Sequence, residues 1–416
     1  MHAHIIHEKS MIGYIAFNQS GFRLDLKIKT HSYCMSVASS AHLNFDYTLE
    51  IIVLEIFNKM RVLELFSGIG GMHYGLQEST VDSTVVMSID INTIANKVYQ
   101  YNFPGTKNIS RNIESLTKEE IEKLNINCIL MSPPCQPFTR VGLRKDSCDK
   151  RCLALLHILK LIPEIQNLQY ILLENVKGFE KSRARDEVVD CLKKADFNYK
   201  EFILSPCQFG IPNSRHRYYL MAKKSRLKFI FNNSNLITSI PDKVCELLPS
   251  SKYKSLIRQT SDSKNEIKQF QIQYILEQNV SPNYLLPEKI LTKHCGILDI
   301  RTPESKGSCC FTKAYSHYME GTGSVLSLNT NADVKKILEE LKINTDITDN
   351  KLKVLHNLKL RYFTPKEISR LMSFPETFGF PSDITNKQKY RLLGNSINVH
   401  VVGQLIYLLH LDKNLE

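Results

Sequence analysis

The sequence contains no Cys-x-x-Cys pair, and its 11 cysteines are an odd number scattered without paired spacing. Cys309 and Cys310 are adjacent, which suits neither a zinc site nor an ordinary disulfide. A disulfide framework and a metal site are therefore not expected, and the thiols read as reduced, in an intracellular protein. No run of about 18 apolar residues is present, the length a membrane-crossing helix needs. The first residues lack the charged-then-apolar order of a signal peptide, and no internal repeat is visible. What the chain does have is length, 416 residues, enough for a large domain with a smaller one. Its hydrophobic content of 43% suits a globular fold, and its formal net charge of +12, with a pI of about 9.0, points to a polyanionic partner, most simply nucleic acid.

The stretch Ile129-Leu130-Met131-Ser132-Pro133-Pro134-Cys135-Gln136-Pro137-Phe138 reads as a short buried strand stopped by a Pro-Pro corner that presents one cysteine. In an open α/β sheet the C-terminal ends of the strands are where ligands bind. Prolines on both sides of Cys135 restrict its backbone, as befits a thiol whose direction matters. A small buried cysteine in a rigid turn would look the same. The polar loop that follows carries Arg140, Arg144 and Lys145, and reads either as a solvated loop or as one that closes over a phosphate backbone.

Upstream, strand Arg61–Phe66 runs into Ser67-Gly68-Ile69-Gly70-Gly71 and then a helical pattern, the opening unit of a doubly wound fold. Glycines let a backbone approach a ligand closely, and the helix start offers free N–H groups. The next strand, Thr84 to Ile89, ends in Asp90, placed to accept bonds from a ribose. Together these favour an adenosine-bearing cofactor. Downstream, Tyr170-Ile171-Leu172-Leu173-Glu174 is an unbroken apolar run ending in a carboxylate, as a buried parallel strand would be. Glu174 then sits beside the cleft, or simply leaves the core for water. Alternation in Arg215-His216-Arg217 puts both arginines on one face of a strand, where they can grip a polar base edge or a phosphate.

Residues 1–59 show weak periodicity and are expected to be a poorly ordered extension, with Met60 as a natural start. Residues 60–222 read as the first part of a large α/β domain, 223–360 as a smaller, irregular domain, and 361–416 as a return to the large one. Thr364-Pro365-Lys366-Glu367 opens a helix there, and Leu393-Gly394-Asn395-Ser396 is expected to cap the last one.

In this order and spacing, Leu65-Phe66-Ser67-Gly68-Ile69-Gly70-Gly71, Ser132-Pro133-Pro134-Cys135-Gln136, Glu174-Asn175-Val176, Arg215-His216-Arg217 and Gly394-Asn395-Ser396 resemble the cytosine-5 methyltransferase family over Met60 to Leu409. Cys310-Phe311-Thr312, Tyr284-Leu285-Leu286-Pro287 and the Asn213 turn resemble its type 2 branch, which methylates tRNA. The resemblance implies a Rossmann-like α/β fold, doubly wound and of the SAM-dependent class I type, with 60–222 and 361–416 as the catalytic domain and 223–360 as a small target-recognition domain inserted in it. It implies methylation at C5 of a cytosine, at tRNA position 38 in the anticodon loop of aspartate tRNA. Cys135 would be the nucleophile, Glu174 the acid at N3, and Arg215 and Arg217 the grip on the base. S-adenosyl-L-methionine would lie against Phe66, Gly68, Ile69, Gly70, Asp90, Ile91, Asn112, Ile113, Ser132, Asn395 and Ser396. Arg140, Arg144, Lys145, Cys310, Phe311 and Thr312 would meet the substrate. The partner implied is the tRNA anticodon stem-loop, with weak DNA binding left open, no membrane partner and a monomeric state, in the cytoplasm with the nucleus left open. A DNA cytosine-5 methyltransferase and a tRNA-binding pseudoenzyme are the rival readings. None of the four catalytic residues is missing, which counts against the second.

Overall fold

A computed structural model describes residues 6–8, 11–18, 21–27, 59–134, 152–232, 235–249, 253, 255–256, 269–343 and 349–412. Met1–Asn58 and Lys59–Glu416 are two compact units. In the first, strands β1 (Ile6–Glu8), β2 (Met11–Asn18) and β3 (Gly21–Lys27) pair antiparallel in chain order. Little order was expected here. The sequence Phe22-Arg23-Leu24-Asp25-Leu26-Lys27 nevertheless alternates apolar and charged residues with the period of a strand. A single such run is ambiguous until a partner in register, here Ile15 opposite Leu24, completes it.

The second unit is built on a sheet of β4 (Met60–Leu65), β5 (Ser83–Asp90), β6 (Asn108–Ser110), β7 (Cys128–Met131), β8 (Tyr170–Val176), β9 (Phe197–Leu204) and β10 (Arg217–Lys224). Their spatial order is β6-β5-β4-β7-β8-β10-β9. β10 is antiparallel to both its neighbours, whereas the pairings among β4 to β8 are parallel. The chain leaves β4 for β5 and β6 on one side, then returns to β7 on the other. The crevice beyond β4 and β7 is thus the switch point at which such sheets bind ligands. The central strands read as unbroken apolar runs because both faces are covered. Leu63, Leu65, Ile129 and Met131 lie in the core shared with helices α3 (Leu153–Leu161) and α4 (Arg183–Lys194). Val62, Leu130 and Leu172 face the opposite core with α1 (Gly71–Glu78). Helix α2 (Thr93–Asn102) follows β5, started by the Asn92 side chain, which accepts from the Ile94 and Ala95 amides.

A smaller sheet joins β11 (Asp299–Arg301) and β12 (Ser324–Ser327) in parallel and β12 and β13 (Leu360–Tyr362) antiparallel, with helix α5 (Asn331–Ile343) between β12 and β13. Its aromatic core does not stand alone. Phe311, Tyr315, Tyr362 and Phe363 belong to one buried cluster with Tyr74, Tyr99 and Phe103. The return then runs through α6 (Pro365–Leu371), started by a Thr364/Glu367 capping box, α7 (Asn386–Asn395) and α8 (Val399–His410). Gly394 is inside the end of α7, so it does not cap the last helix as expected. Asn398 does, its side chain accepting from the Val401 amide. Asn386–His410 is long and apolar enough to cross a membrane by composition, but most of it is buried inside the protein. α8 lies directly on α1 because glycines meet there. A Cβ at Gly75 would be 2.6 Å from Val402 Cγ1, and one at Gly403 would be 3.1 Å from the Gly75 carbonyl. That contact brings the chain's end back to the first glycine turn.

Candidate active site

The turn after β4 is held in an unusual backbone. Phe66 has φ 54°, Gly68 φ 54° and Gly70 φ 85°. A Cβ on Gly70 would strike the Phe103 ring at 2.5 Å and one on Gly71 would strike Ile397 at 2.6 Å, so these two glycines serve packing. Gly68 is different, since a Cβ there would meet no atom of the described residues within 4 Å. The Gly68 N–H donates to Asp90 Oδ2 at 2.8 Å and the Asn92 N–H to Asp90 Oδ1 at 2.7 Å. Asp90 is thereby fixed at the end of β5 with lone pairs to spare. Burial pushes its carboxyl up, against these main-chain donors. Beside it Ile91 is 69% exposed, an apolar side chain with an uncovered face at the crevice. Asn112 uses its amide oxygen to accept from the Glu114 N–H at 3.1 Å, and Ile113 is buried in the core against α3. Ile69 is buried as well.

Beneath this turn lies a buried polar group that the motifs did not single out. Glu64 is fully buried in β4, and Tyr99 donates its hydroxyl proton to Glu64 Oε2 at 2.7 Å while lying 2.8 Å from His73 Nδ1. Burial drives Glu64 up to about 8 and His73 down to about 4. Among the described residues, Glu64 Oε1 and the nearby Ser67 Oγ are buried without a partner. A carboxyl inside Val62-Leu63-Glu64-Leu65 is a legible signal, because an ionisable group in an apolar run requires a reason.

On the other side of the switch point, the Ser132 N–H donates to the Leu65 carbonyl at 3.4 Å and its hydroxyl to the Phe66 carbonyl at 3.3 Å. Ser132 therefore stitches the end of β7 to the glycine turn. The buried Asn175 amide donates to the Pro133 carbonyl at 3.4 Å, tying β8 to the Pro-Pro corner. Cys135, Arg140, Arg144 and Lys145 lie outside the described residues. Glu174, 7% exposed, stands next to that corner in β8. Burial raises its carboxyl, opposed by Arg217 and then Arg215.

The two arginines, read as equivalent from alternation, have different partners. Arg217 opens β10 and places Nε 3.4 Å from Glu174 Oε1. Arg215, 2% exposed, precedes the strand and donates to the carbonyls of Phe311 (2.9 Å), Gly394 (3.1 Å) and Ser396. It is a clamp between two segments far apart in sequence. The segments also touch directly, for a Cβ on Gly394 would lie 2.2 Å from the Lys313 nitrogen. Both guanidinium groups reach Cys310, whose Sγ is 3.3 Å from Arg215 Nη1 and 3.8 Å from Arg217 Nη2. Phe311, expected to meet the substrate, is 1% exposed in the aromatic core. The Thr312 N–H donates to the Thr322 carbonyl at 2.9 Å. Asn395 is exposed at the end of α7. The buried Asn213 amide donates to Ser308 Oγ and the Cys309 carbonyl, each at 3.1 Å, locking its turn to the same loop.

Comparison with known proteins bears on this geometry. Residues 60–409 match the family described as C-5 cytosine-specific DNA methylase. A protein of Mus musculus named tRNA (cytosine(38)-C(5))-methyltransferase is 43% identical over 389 residues, covering 84% of this chain and 93% of its own. A protein of Dictyostelium discoideum named DNA (cytosine-5)-methyltransferase is 40% identical over 371 residues, covering 84% of this chain and 94% of its own. The crystal structure of a Spodoptera frugiperda DNMT2 mutant superposes with a TM-score of 0.73 at 41% identity, covering 84% of this chain and 99% of that one.

Proposed function

The chain belongs to the C-5 cytosine methyltransferase family, and from that premise we propose that it methylates C5 of the cytosine at position 38 in the anticodon loop of aspartate tRNA, using S-adenosyl-L-methionine. The relatives' names support the base and the RNA. The observation that carries the reaction type is Glu174, a buried carboxyl held against Arg217 near the end of β8, the strand beside β7.

The crevice fits the cofactor. Among the described residues, Gly68 leaves open space where a side chain would stand, Asp90 has free lone pairs for a ribose, and Ile91 offers an apolar face for adenine. Ser132, Asn395 and Ser396 would border it, with Phe66 and the Gly68-Ile69-Gly70 backbone along the methionine portion. Asn112 holds a turn with the oxygen proposed for the adenine amine, so only that oxygen's second lone pair is left for it. When bound, the cofactor supplies an electrophilic methyl group on a sulfonium sulfur.

C5 of cytosine is a poor nucleophile. Addition of the Cys135 thiolate at C6 makes the ring an enamine whose C5 can take the methyl group. Glu174 would give its proton to N3 during addition, which requires a carboxyl kept neutral near pH 7, and burial works in that direction. Arg217 would orient Glu174 and hold the base oxygen. Arg215 would hold the walls of the base pocket through its carbonyl bonds. Loss of the C5 proton and elimination of Cys135 complete the cycle. The target base must leave its stack, which is cheaper from a loop than from a duplex.

Bisulfite sequencing of tRNA before and after deletion of the gene tests this reading, and loss of one modified cytosine in the aspartate anticodon loop is expected. Unchanged tRNA would refute it. The Dictyostelium relative's name supports a DNA substrate as the second reading. Purified protein given tRNA and duplex DNA in parallel separates the two.

A further inference from the structure

We propose that Cys310 is a positioning residue for base activation, its thiolate serving as counter-charge to the Arg215–Arg217 pair so that Glu174 can stay protonated. The inference rests on the reading of Glu174 as the acid.

The geometry is a cluster of four groups. Cys310 Sγ lies 3.3 Å from Arg215 Nη1 and 3.8 Å from Arg217 Nη2, and Arg217 Nε lies 3.4 Å from Glu174 Oε1. Arg215 and Glu174 are almost wholly enclosed. Guanidinium groups do not deprotonate in proteins. Two of them in one enclosed pocket require negative charge beside them. Glu174 alone could supply it only by being ionised, and an ionised Glu174 has no proton to give.

Among the described residues, the other groups facing the cluster do not provide the charge. The Tyr219 hydroxyl is pushed up by burial and so is neutral. His216 is held down by burial and gives only its carbonyl, to Arg217 Nη1. Cys309 belongs to a separate group with Asp299 and Arg301, and burial raises its thiol. Cys310 remains. Burial would raise its thiol too, but Arg215 and Arg217 outweigh this and bring it below its ordinary range.

The residue type fits the task. A serine there would never ionise, and an aspartate would bring two strong acceptors to compete with Glu174 for Arg217. A thiol ionises near neutral pH when flanked by cations. Its large, weakly accepting sulfur leaves the directional bonds of Arg215 to the Phe311, Gly394 and Ser396 carbonyls.

The test uses the full chain and Cys310→Ser, with an unchanged melting temperature as the check on folding. Thiolate absorbance near 240 nm, compared between the two proteins at pH 7, should differ by one thiolate. In single-turnover methyl transfer to tRNA the basic limb reports loss of the Glu174 proton. Removing a neighbouring anion eases ionisation of Glu174, so this limb should move to lower pH by about one unit. The ratio of the rate at pH 6 to that at pH 8 should then rise severalfold over the parent, by at most about sixfold for a one-unit shift. No absorbance difference at pH 7 would overturn the proposal. So would a Cys310→Ser rate lowered equally at every pH, which is what a merely structural cysteine gives. Glu174→Gln separates the premise from the inference. If it keeps the parent's basic limb, Glu174 is not the titrating acid and the mechanistic reading fails first. If the parent methylates no tRNA, the proposed function fails, while the absorbance still decides the charge on Cys310.

Discussion

Replacing each arginine of the pair by lysine should produce two different defects. Arg215 is 2% exposed and donates to three carbonyls on two segments, Phe311 on one and Gly394 and Ser396 on the other. A lysine carries its donors on one point and cannot span that gap. With two of the three carbonyls left unpaired at roughly 1–3 kcal/mol each, Arg215→Lys should cost about 2–6 kcal/mol. The unit Lys59–Glu416 has 358 residues (416 less the 58 before it). At about 2.1 cal/mol/K per residue, its unfolding entropy is roughly 0.75 kcal/mol/K, so the loss corresponds to about 3–8 °C in melting temperature. Arg217 bonds mainly to Glu174 and to its own neighbour's carbonyl. Arg217→Lys keeps the charge and should melt within about 2 °C of the parent, yet lose at least tenfold in single-turnover rate because the carboxyl is no longer held. Calorimetry and rapid-quench methyl transfer on the same preparations read both quantities. Equal melting shifts, or an Arg215→Lys protein as stable as the parent, would refute the distinction between clamp and contact.

Four further outcomes are expected. Glu174→Gln should lower the single-turnover rate by about 10²–10⁴-fold, and a near-parental rate would mean that the residue only fills its place in β8. Affinity for tRNA should fall steeply between low and physiological salt, given the net charge of +12; a flat salt series in filter binding would remove electrostatics from recognition. Burial raises Glu64 from 4.5 to about 8, so the native state binds a proton that the unfolded chain releases. Its contribution is fully present below pH 4.5 and is lost as pH rises to about 8, at most roughly 5 kcal/mol at about 1.4 kcal/mol per unit. Glu64→Gln should flatten that decline in melts from pH 5 to 8, and an unaltered slope would place the titration elsewhere. Finally, a chain beginning at Met60 should fold and transfer methyl groups as the full chain does, since every residue assigned a role lies within 60–409. An insoluble product, or one slower by more than about tenfold, would make the first unit part of the enzyme.

Local pattern carried much of this protein's architecture. Val62-Leu63 and Ile129-Leu130-Met131 are buried on both faces of a parallel sheet, as unbroken apolar runs require. The glycine turn, the acid ending β5 and the carboxyl near the end of β8 could be placed at the cleft because strand ends and turn residues are properties of a few neighbouring positions. Strand boundaries slipped by a residue or two, since the terminal hydrogen bonds belong to the neighbouring strand. The roles of Arg215 and Cys310 were different in kind. Arg215 stands 96 residues from Phe311 and 181 from Ser396, and no periodicity spans such gaps. Alternation made the two arginines alike, whereas folding put one on backbone carbonyls and the other on the Glu174 carboxyl. Phe311 shared a motif with Cys310 but went to the aromatic core, where its area is buried. Tertiary structure alone decided these because pairing charges and filling a core are contacts between segments, and their geometry exists only after the chain has closed on itself.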